Sequence, residues 1–420
     1  MKLRYILVLI FALVLPLAVT SVATAATTAT DPAIGPAVTW LTRQQQADGS
    51  YLGFSGKSDP GTTAGIALAL AASGTDPATV SNGGSSMIAY LSSSASTYGT
   101  TVAGASKLTL AVVAAGLDPR AFGGQNLVQE ILAHLDPKTG LLDPQLYIHA
   151  YAMLALAAAG QTVPIAAVTA LEQHQATDGG WAFTGETDAG KADSNTTAIA
   201  VQALVASGDG SSSTIPAAMK YLAGLQDGSG LYAYQPANGS PILGDANSTA
   251  LVIQALIATG ETLDSAAVSK SLATLDKMQN SSGALFYQQS TPADNLLATE
   301  QALPALAGKA LPIWPIHASG RTLDQAKAVA TAGNPQLCVY FKETGHNACN
   351  GFLAYWRGFG SLDSFGYPLT EEFTAVDAAT GRTTTVQYFQ RARFEWHPGS
   401  APRRFDVQLG LLGSEQLAKP

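Results

Sequence analysis

The sequence predicts an all-α toroid of six helix pairs, an (α/α)6 ring, followed by a small α+β module. Three observations predict the ring. A glycine-bearing turn recurs along the chain, an alanine-rich apolar helix follows each turn, and an amphipathic helix precedes the clearest turns. A chain of 420 residues has room for one large domain of this kind and one small one.

The turn is clearest in the stretch EQHQATDGGWAF, residues 172–183. Related stretches recur about every 45 residues, as expected for a repeat architecture. Because glycine tolerates a positive φ angle, each turn can join an outer helix to the next inner helix. The marker glycines of the six units are Gly49, Gly99, Gly140, Gly179, Gly230 and Gly283.

Six alanine-rich runs follow the turns, with apolar residues on nearly every side. A helix that is apolar all round is buried on all sides, so these runs are predicted to form the inner layer. Each run ends in glycine, which favours a left-handed stop at the helix C-terminus. The runs span residues 62–74, 105–116, 147–160, 195–208, 247–260 and 295–308.

The segments that lead into the turns are amphipathic and are predicted to form the outer layer. Residues 215–226 and 263–279 are the clearest of them. Alternating helix pairs can build an open superhelix or a closed ring. An open superhelix needs polar end repeats, and here the first and last units are as apolar as the middle ones. We therefore predict closure.

The N-terminal segment, residues 1–25, has the pattern of a cleaved secretory signal. Lys2 and Arg4 precede an apolar stretch, and Ala23-Thr24-Ala25 supplies the small residues that signal peptidase needs. No later stretch is apolar for long enough to span a membrane. We expect a secreted or extracellular surface protein, with the toroid over 26–312, a linker over 313–334 and the module over 335–420.

The charge distribution excludes one class of partner. Residues 26–334 carry 12 Lys and Arg against 22 Asp and Glu, and such a surface repels phosphate backbones. The module contains Cys338 and Cys349, which we expect to form a disulfide in an exported protein. A zinc site that adds His346 is the alternative, but no fourth ligand is evident, so we expect no metal.

Short polar motifs precede the inner helices. Their structural interpretation is helix capping, in which a side-chain oxygen accepts a free N–H of the first turn. Their functional interpretation follows from closure, which gathers all inner-helix starts around one mouth that can bind a polar ligand or a cation. The candidate mouth residues are Asp59, Asp193, Asn195, Asp245, Asn247 and Asp294, joined by the aromatic Trp181, Tyr232 and Tyr147.

Other polar and aromatic residues have two interpretations as well. Gln202, Gln254 and Gln301 fall in one predicted register, where a buried amide either bonds between helices or lines a cavity. Trp181 and Tyr232 either pack between units or form a rim for an apolar or sugar-like ligand. His149 is expected to be a hydrogen-bonded filler of its helix rather than a base. No catalytic residue is assigned.

The turn pattern resembles the QW motif of terpenoid (squalene) cyclases, most closely at Gln175–Gly179–Trp181 and Gln226–Gly230–Tyr232. The six-unit layout resembles the prenyltransferase/squalene-oxidase repeat superfamily, whose fold is an α/α toroid. The motifs NTTAIAVQAL (195–204) and NSTALVIQAL (247–256) look like the barrel of transcobalamin and intrinsic factor. The resemblance spans roughly residues 30–312 and implies a fold that hosts many functions.

Three catalytic devices of that superfamily are missing from the sequence. It has no Asp-x-Asp-Asp acid, and residues 26–334 lack the cysteine that a prenyltransferase zinc site or a thioester needs. We therefore expect a non-catalytic secreted protein that binds a small molecule at the toroid mouth, with a cobalamin-like ligand implied by the resemblance. The alternatives are a terpenoid cyclase or prenyltransferase-type enzyme, and an adhesion protein that acts through its C-terminal module.

The C-terminal module differs in composition from the repeats. Residues 385–397, TVQYFQRARFEWH, alternate as a strand does. The aromatic and glycine pattern resembles LGFP-type repeats of bacterial surface proteins, which implies attachment to a surface or to cell-wall glycan. A lid over one mouth of the toroid is the other expected role.

Overall fold

A computed structural model of the protein describes residues 31–210, 212–236, 241–313, 338–341, 344, 346–359, 364–376, 383–397 and 406–410. The predicted signal segment and residues 314–334 of the predicted linker lie outside them. Within the described ranges, no helix has the length and apolar character that crossing a bilayer would require.

Twelve α-helices alternate between two layers over residues 31–313. The outer helices are α1 (Ile34–Gln44), α3 (Met87–Tyr98), α5 (Leu127–Ala133), α7 (Ile165–Gln173), α9 (Thr214–Ala223) and α11 (Ala266–Asp276). The inner helices are α2 (Pro60–Ala72), α4 (Val102–Ala114), α6 (Leu146–Ala158), α8 (Ser194–Ala206), α10 (Ala246–Ala258) and α12 (Leu296–Leu306). The predicted helix pairs are confirmed.

The inner helices form a closed ring. Each packs against the inner helices before and after it, and α12 packs against α2. The outer helix α1 also packs on α12, so the first and last units are joined at both layers. The predicted closed α/α toroid is therefore confirmed, and the hydrophobic core lies within and between its two layers.

The inner helices begin and end as the sequence predicts. All 13 residues of α10 are buried, and the neighbouring inner helices are nearly as enclosed. Because a left-handed residue ends a helix most easily when it is glycine, each inner helix stops near one with a positive φ. These stop glycines are Gly74, Gly116, Gly160, Gly208, Gly260 and Gly308.

In four of the six units, a glutamine holds the turn between the outer and the inner helix by donating to the carbonyl of the marker glycine. In the fourth unit, Gln175 Nε2 donates to the carbonyl of Gly179 and to that of Thr214 at the start of α9, both at 2.8 Å. The marker glycines have positive φ in every unit but the second, where Gly99 has φ −78° and caps α3. In the first unit the turn leads into a short hairpin, β1 (Tyr51–Leu52) with β2 (Ser58–Asp59).

The C-terminal module is α+β, as predicted. A hairpin of β3 (Cys338–Phe341) and β4 (His346–Cys349) leads into α13 (Asn350–Gly358). An antiparallel sheet follows in the order β5 (Phe373–Val376), β6 (Thr383–Tyr388), β7 (Arg393–Trp396) and β8 (Val407–Leu409). Its core packs Phe352 of α13 against Phe394 of β7. Cys338 and Cys349 are paired in the hairpin register, and their disulfide stays a prediction.

Helix α13 contacts the toroid at the C-terminal end of α6. A side-chain carbon added to Gly160, the stop residue of α6, would lie 2.6 Å from Cβ of Arg357. Burial and the nearby Arg120 lower the pKa of Arg357. This contact lies at the end of the ring away from the inner-helix starts.

Candidate functional site

The starts of the six inner helices surround one end of the ring, called the mouth from here on. Asp59, Asp193 and Asp245 each accept a hydrogen bond from the backbone N–H three residues later, at 2.6, 2.7 and 2.8 Å. They cap α2, α8 and α10 and stabilise the exposed N–H groups of those helices. Burial raises the pKa of both Asp193 and Asp245. The mouth is therefore lined by caps, and its carboxylates already hold partners.

Asp294 does not belong to this row of caps. Asn295 caps α12, and its Oδ1 accepts the N–H of Ala298 at 2.9 Å. The exposed Asp294 instead accepts hydrogen bonds from Asn280 and Ser282 of the preceding turn. The predicted common register of the glutamines is wrong for this unit, because Gln301 follows its cap by six residues and Gln202 follows Asp193 by nine.

The candidate amides link neighbouring helices. Asn247 Nδ2 donates to Gln301 Oε1 at 2.9 Å, which joins α10 to α12 just inside the mouth. Asn195 is half-buried at the start of α8. At the opposite end, Gln202 Oε1 accepts the backbone N–H of Leu311 at 2.9 Å. The segment after α12 thus packs against α8.

Two of the predicted aromatic residues lie in the core. Trp181 is fully buried, and its Nε1 donates to the carbonyl of Leu171 at 2.7 Å. Tyr232 is 5% exposed, and its backbone N–H donates to Thr249 Oγ1 at 2.8 Å. Both pack between units, as their structural interpretation predicts, and neither ring is accessible at the mouth.

His149 has a structural role that the repeat explains. Four inner helices carry a threonine four residues after the cap, and its hydroxyl accepts a backbone N–H from the turn. In α6 this position is His149, whose Nδ1 accepts the N–H of Leu142 at 3.0 Å. Its Nε2 lies 3.0 Å from the carbonyl of Ala167, so the ring proton sits on Nε2. Burial lowers the pKa of His149 to about 4. The expected filler role is supported.

Tyr147 is the predicted aromatic residue that remains partly accessible. It lies at the start of α6, with its ring centroid 5.0 Å from that of Tyr151 and 6.2 Å from that of Phe183, on which it stacks. Burial, reinforced by Tyr151, raises the pKa of Tyr147 well above its usual range. The phenol is therefore neutral, and its ring lies beside an aromatic surface while its hydroxyl bonds to that of Tyr151.

Three further aromatic residues form what we call the aromatic rim: Phe183, Tyr234 and Tyr287. Their backbone carbonyls accept the first N–H of α6, α8 and α10, at 2.8, 2.8 and 3.0 Å. These residues are 38%, 43% and 38% exposed, so three of the six units each present one aromatic ring to solvent beside an inner-helix start. Burial and the cap Asp193 raise the pKa of Tyr234, and burial with Asp245 raises that of Tyr287.

Inside the ring, α2 has glycine at the two positions, Gly61 and Gly65, where the charged residues Lys107 and Glu300 approach its backbone. Carbon added to Gly65 would overlap the carboxylate of Glu300, and carbon added to Gly61 would lie 2.7 Å from the hydroxyl of Tyr98. Lys107 reaches over from α4, and its Nζ donates to the carbonyl of Gly61 at 3.2 Å. We call Gly61, Gly65, Lys107 and Glu300 the glycine niche.

The charges of the niche are unusual for a protein interior. Glu300 is 7% exposed, and no group among the described residues donates a hydrogen bond to its carboxylate. Burial raises its pKa to about 7, with Lys107 opposing that shift. Burial also disfavours the charge on Lys107, but the groups around it, Glu300 foremost, leave its pKa raised. The charged Lys107 thus lies near a carboxyl group that is partly protonated near neutral pH, so this group can either donate or accept a hydrogen bond.

Sequence reasoning missed both charged residues of the niche, although the sequence contains a signal. Within the six inner helices, Lys107 and Glu300 are the only Asp, Glu, Lys or Arg side chains. A charged residue in a helix that is buried on all sides is costly, and such residues concentrate at functional sites. Metal binding has no comparable support, since the described residues contain no cluster of three or more His, Cys, Asp or Glu suited to an ion.

No protein-family model and no curated protein sequence matches the chain. Among solved structures, the ligand-free type II terpene cyclase MstE from Scytonema is 14% identical, with a TM-score of 0.49 over 66% of this chain and 96% of that one. A protein from Actinoplanes is 16% identical, with a TM-score of 0.49 over 66% and 98%. Haptocorrin in complex with Cbi is 15% identical, with a TM-score of 0.45 over 66% of each chain. The closed ring of six helix pairs itself defines the fold as an α/α toroid.

Proposed function

We propose that this chain is an exported protein that binds a small molecule at the mouth of its toroid without transforming it. One observation carries the proposal: the carboxylate of Glu300 lies inside the ring near Lys107, and no described residue donates a hydrogen bond to it. The residue is 7% exposed, and its carboxylate oxygens are not fully enclosed. A bound molecule can therefore reach this carboxylate and supply the missing donor.

The architecture supports binding from one side. After α12, Leu311 and Ile313 are buried, and the backbone N–H of Leu311 donates to Gln202 of α8, so this segment packs on the ring away from the inner-helix starts. The mouth retains the half-buried Tyr147 and the exposed aromatic rim. A concave site with an aromatic edge and a few polar groups inside is the usual form of a small-molecule site. A cobalamin-like compound remains one candidate ligand.

The proposal is tested by native mass spectrometry of the protein purified from the culture medium of its own host. We expect a mature N-terminus at Ala26 and a co-purifying small molecule. Glu300→Gln should lower the bound fraction at least tenfold, whereas the exposed Glu261→Gln should leave it unchanged. Equal occupancy in Glu300→Gln and wild type would reject the site, and an intact N-terminal segment would reject export.

A second function, acid catalysis of the terpenoid cyclase kind, is favoured by the pKa of about 7 at Glu300. A buried carboxyl group that keeps its proton near neutral pH can protonate an alkene. Incubation with geranylgeranyl compounds, followed by chromatography and mass spectrometry, would reveal products of unchanged mass. Their absence in wild type, or their persistence in Glu300→Gln, would reject this function.

A further inference from the structure

We infer that the molecule held at the mouth is neutral and polyhydroxylated, a sugar unit, with Glu300 accepting its hydroxyl groups and Tyr147 packing against its carbon face. This inference rests on the proposed binding function and names the chemical class of the ligand. It is drawn from three features of the described residues: the open carboxylate, the balance of charge, and the aromatic surfaces.

The first feature is the hydrogen-bonding capacity of the glycine niche. An ionised carboxylate accepts several hydrogen bonds, and that of Glu300 receives none from the described residues. Gly65 leaves the space in front of the α2 backbone to this carboxylate. Lys107 has three N–H donors, of which one is directed at Gly61. Adjacent hydroxyl groups of a sugar can donate to the carboxylate and accept from the ammonium at the same time.

The second feature is the balance of charge, which disfavours an ionic ligand. Lys107 is the only cation on the inner helices, and the capping carboxylate of Asp59 lies beside Gly61 of the niche. A phosphate or diphosphate group would face the carboxylates of Asp59 and Glu300 with one counter-charge. An organic cation would face Lys107, which its negative neighbours keep charged. A neutral ligand avoids both penalties.

The third feature is the combination of aromatic rings with polar groups. Tyr147 stacks on Phe183 at the start of α6 and lies 5.0 Å from Tyr151, and α6 packs directly against α4, the helix that carries Lys107. The exposed rings of Tyr234 and Tyr287 continue this surface around the rim. Sugar rings present C–H groups on their faces and hydroxyls at their edges, which matches rings beside a carboxylate. A purely apolar chain would leave the carboxylate of Glu300 without a donor and would satisfy no further N–H group of Lys107.

The inference is tested by equilibrium dialysis of the full chain at pH 7.5 against four probes. These are neutral β-1,4-linked glucose and N-acetylglucosamine oligomers, geranylgeraniol, and cyanocobalamin. We expect an oligosaccharide to bind at least tenfold more tightly than geranylgeraniol or cyanocobalamin. Glu300→Gln and Tyr147→Ala should each weaken that binding at least tenfold, while the exposed Glu261→Gln should not.

The outcomes separate the ligand class from the site. Tighter binding of geranylgeraniol or cyanocobalamin that is lost in Glu300→Gln would overturn the sugar assignment and leave the mouth as the site. Oligosaccharide binding that is unchanged in Glu300→Gln would overturn the inference, because the sugar would then bind elsewhere. A dissociation constant of about 1 mM marks weak binding. If neither oligosaccharide binds at about that concentration, the sugar assignment fails. Thermal melting of each variant confirms that it is folded.

Discussion

Gln279 Nε2 donates a hydrogen bond of 2.8 Å to the carbonyl of Ala33, which lies 246 positions earlier in the chain. The same amide group holds its own turn through the carbonyl of Gly283, at 2.9 Å. In the middle of the ring, Gln175 makes the corresponding pair of bonds to its own turn and to the next outer helix. Gln279 therefore makes the same pair of hydrogen bonds as Gln175, but its second bond joins the last unit of the ring to the first.

We predict that Gln279→Ala lowers the free energy of unfolding by about 1–3 kcal/mol, since two hydrogen bonds are lost. Urea denaturation followed by circular dichroism would measure the loss. Gln175→Ala is the matched control, because it removes an equivalent pair of bonds away from the closure. If the two units closed no ring, Gln279→Ala would be much the milder of the two.

Gly283 lies against the first outer helix at the same closure. It has φ +97°, and a side-chain carbon there would overlap the carbonyl of Pro36. Gly208 has φ +88° but open space around it, so it isolates the cost of the backbone conformation. We predict that Gly208→Ala costs about 1–2 kcal/mol and that Gly283→Ala costs clearly more. If both variants lost the same free energy of unfolding in chemical denaturation, the contact between Gly283 and Pro36 would add no cost, which would contradict tight packing at the closure.

His149 occupies the position that threonine holds in four other units, so replacing it by threonine tests whether these positions are equivalent. His149→Ala leaves the N–H of Leu142 and the carbonyl of Ala167 without partners, so we predict a loss of about 2–4 kcal/mol. His149→Thr should lose less, because threonine makes the corresponding N–H bond in four other units. Denaturation of both variants at pH 7 would decide. An equal or larger loss in His149→Thr would contradict the equivalence of these positions.

The fold could be predicted from the sequence because its signals are local and periodic. Apolar residues around whole helices, stop glycines such as Gly160, and turn glycines such as Gly179 each act within one unit. Closure was predictable because the end units lack polar faces. Gly99 shows where spacing is not enough to predict a turn, since this glycine caps α3 instead of forming the positive-φ turn of the other units. The spacing of glycines alone does not distinguish a turn glycine from a capping glycine.

The candidate site could be predicted only in part, because it depends on contacts between distant segments. The capping role of Asp193 and Asp245 is local and was foreseen. The niche combines Gly65, Lys107 and Glu300 from three helices, and no single segment reveals that the glycine leaves space for the carboxylate. Asp294 was misplaced because α12 carries its glutamine three residues closer to the cap than α8 does.

The pairing of Cys338 with Cys349 in the β3–β4 register supports a further prediction. We expect unreduced protein from the culture medium to contain no thiol that reacts with iodoacetamide, and mass spectrometry to find both cysteines in one cross-linked peptide pair. A disulfide that closes so short a loop should stabilise the module by roughly 2–3 kcal/mol. Alkylation of both cysteines without reduction would reject the bond and reopen the question of a metal at this hairpin.

Glu300 should impose a pH dependence on the stability of the unliganded toroid. Burial raises its pKa to about 7, above the value of 4.5 for an exposed glutamate. Between those values the folded state binds more protons than the unfolded state, so stability falls as the pH rises through that window and levels off above it. The full difference corresponds to about 3 kcal/mol.

Glu300→Gln removes this loss, so the variant should be about as stable as wild type at pH 4.5 and more stable than wild type at pH 8. Urea denaturation of both proteins across this range, each freed of ligand, would measure the divergence. Parallel curves would mean that Glu300 ionises as readily inside the ring as in water, and the carboxylate would then have to have a donor after all.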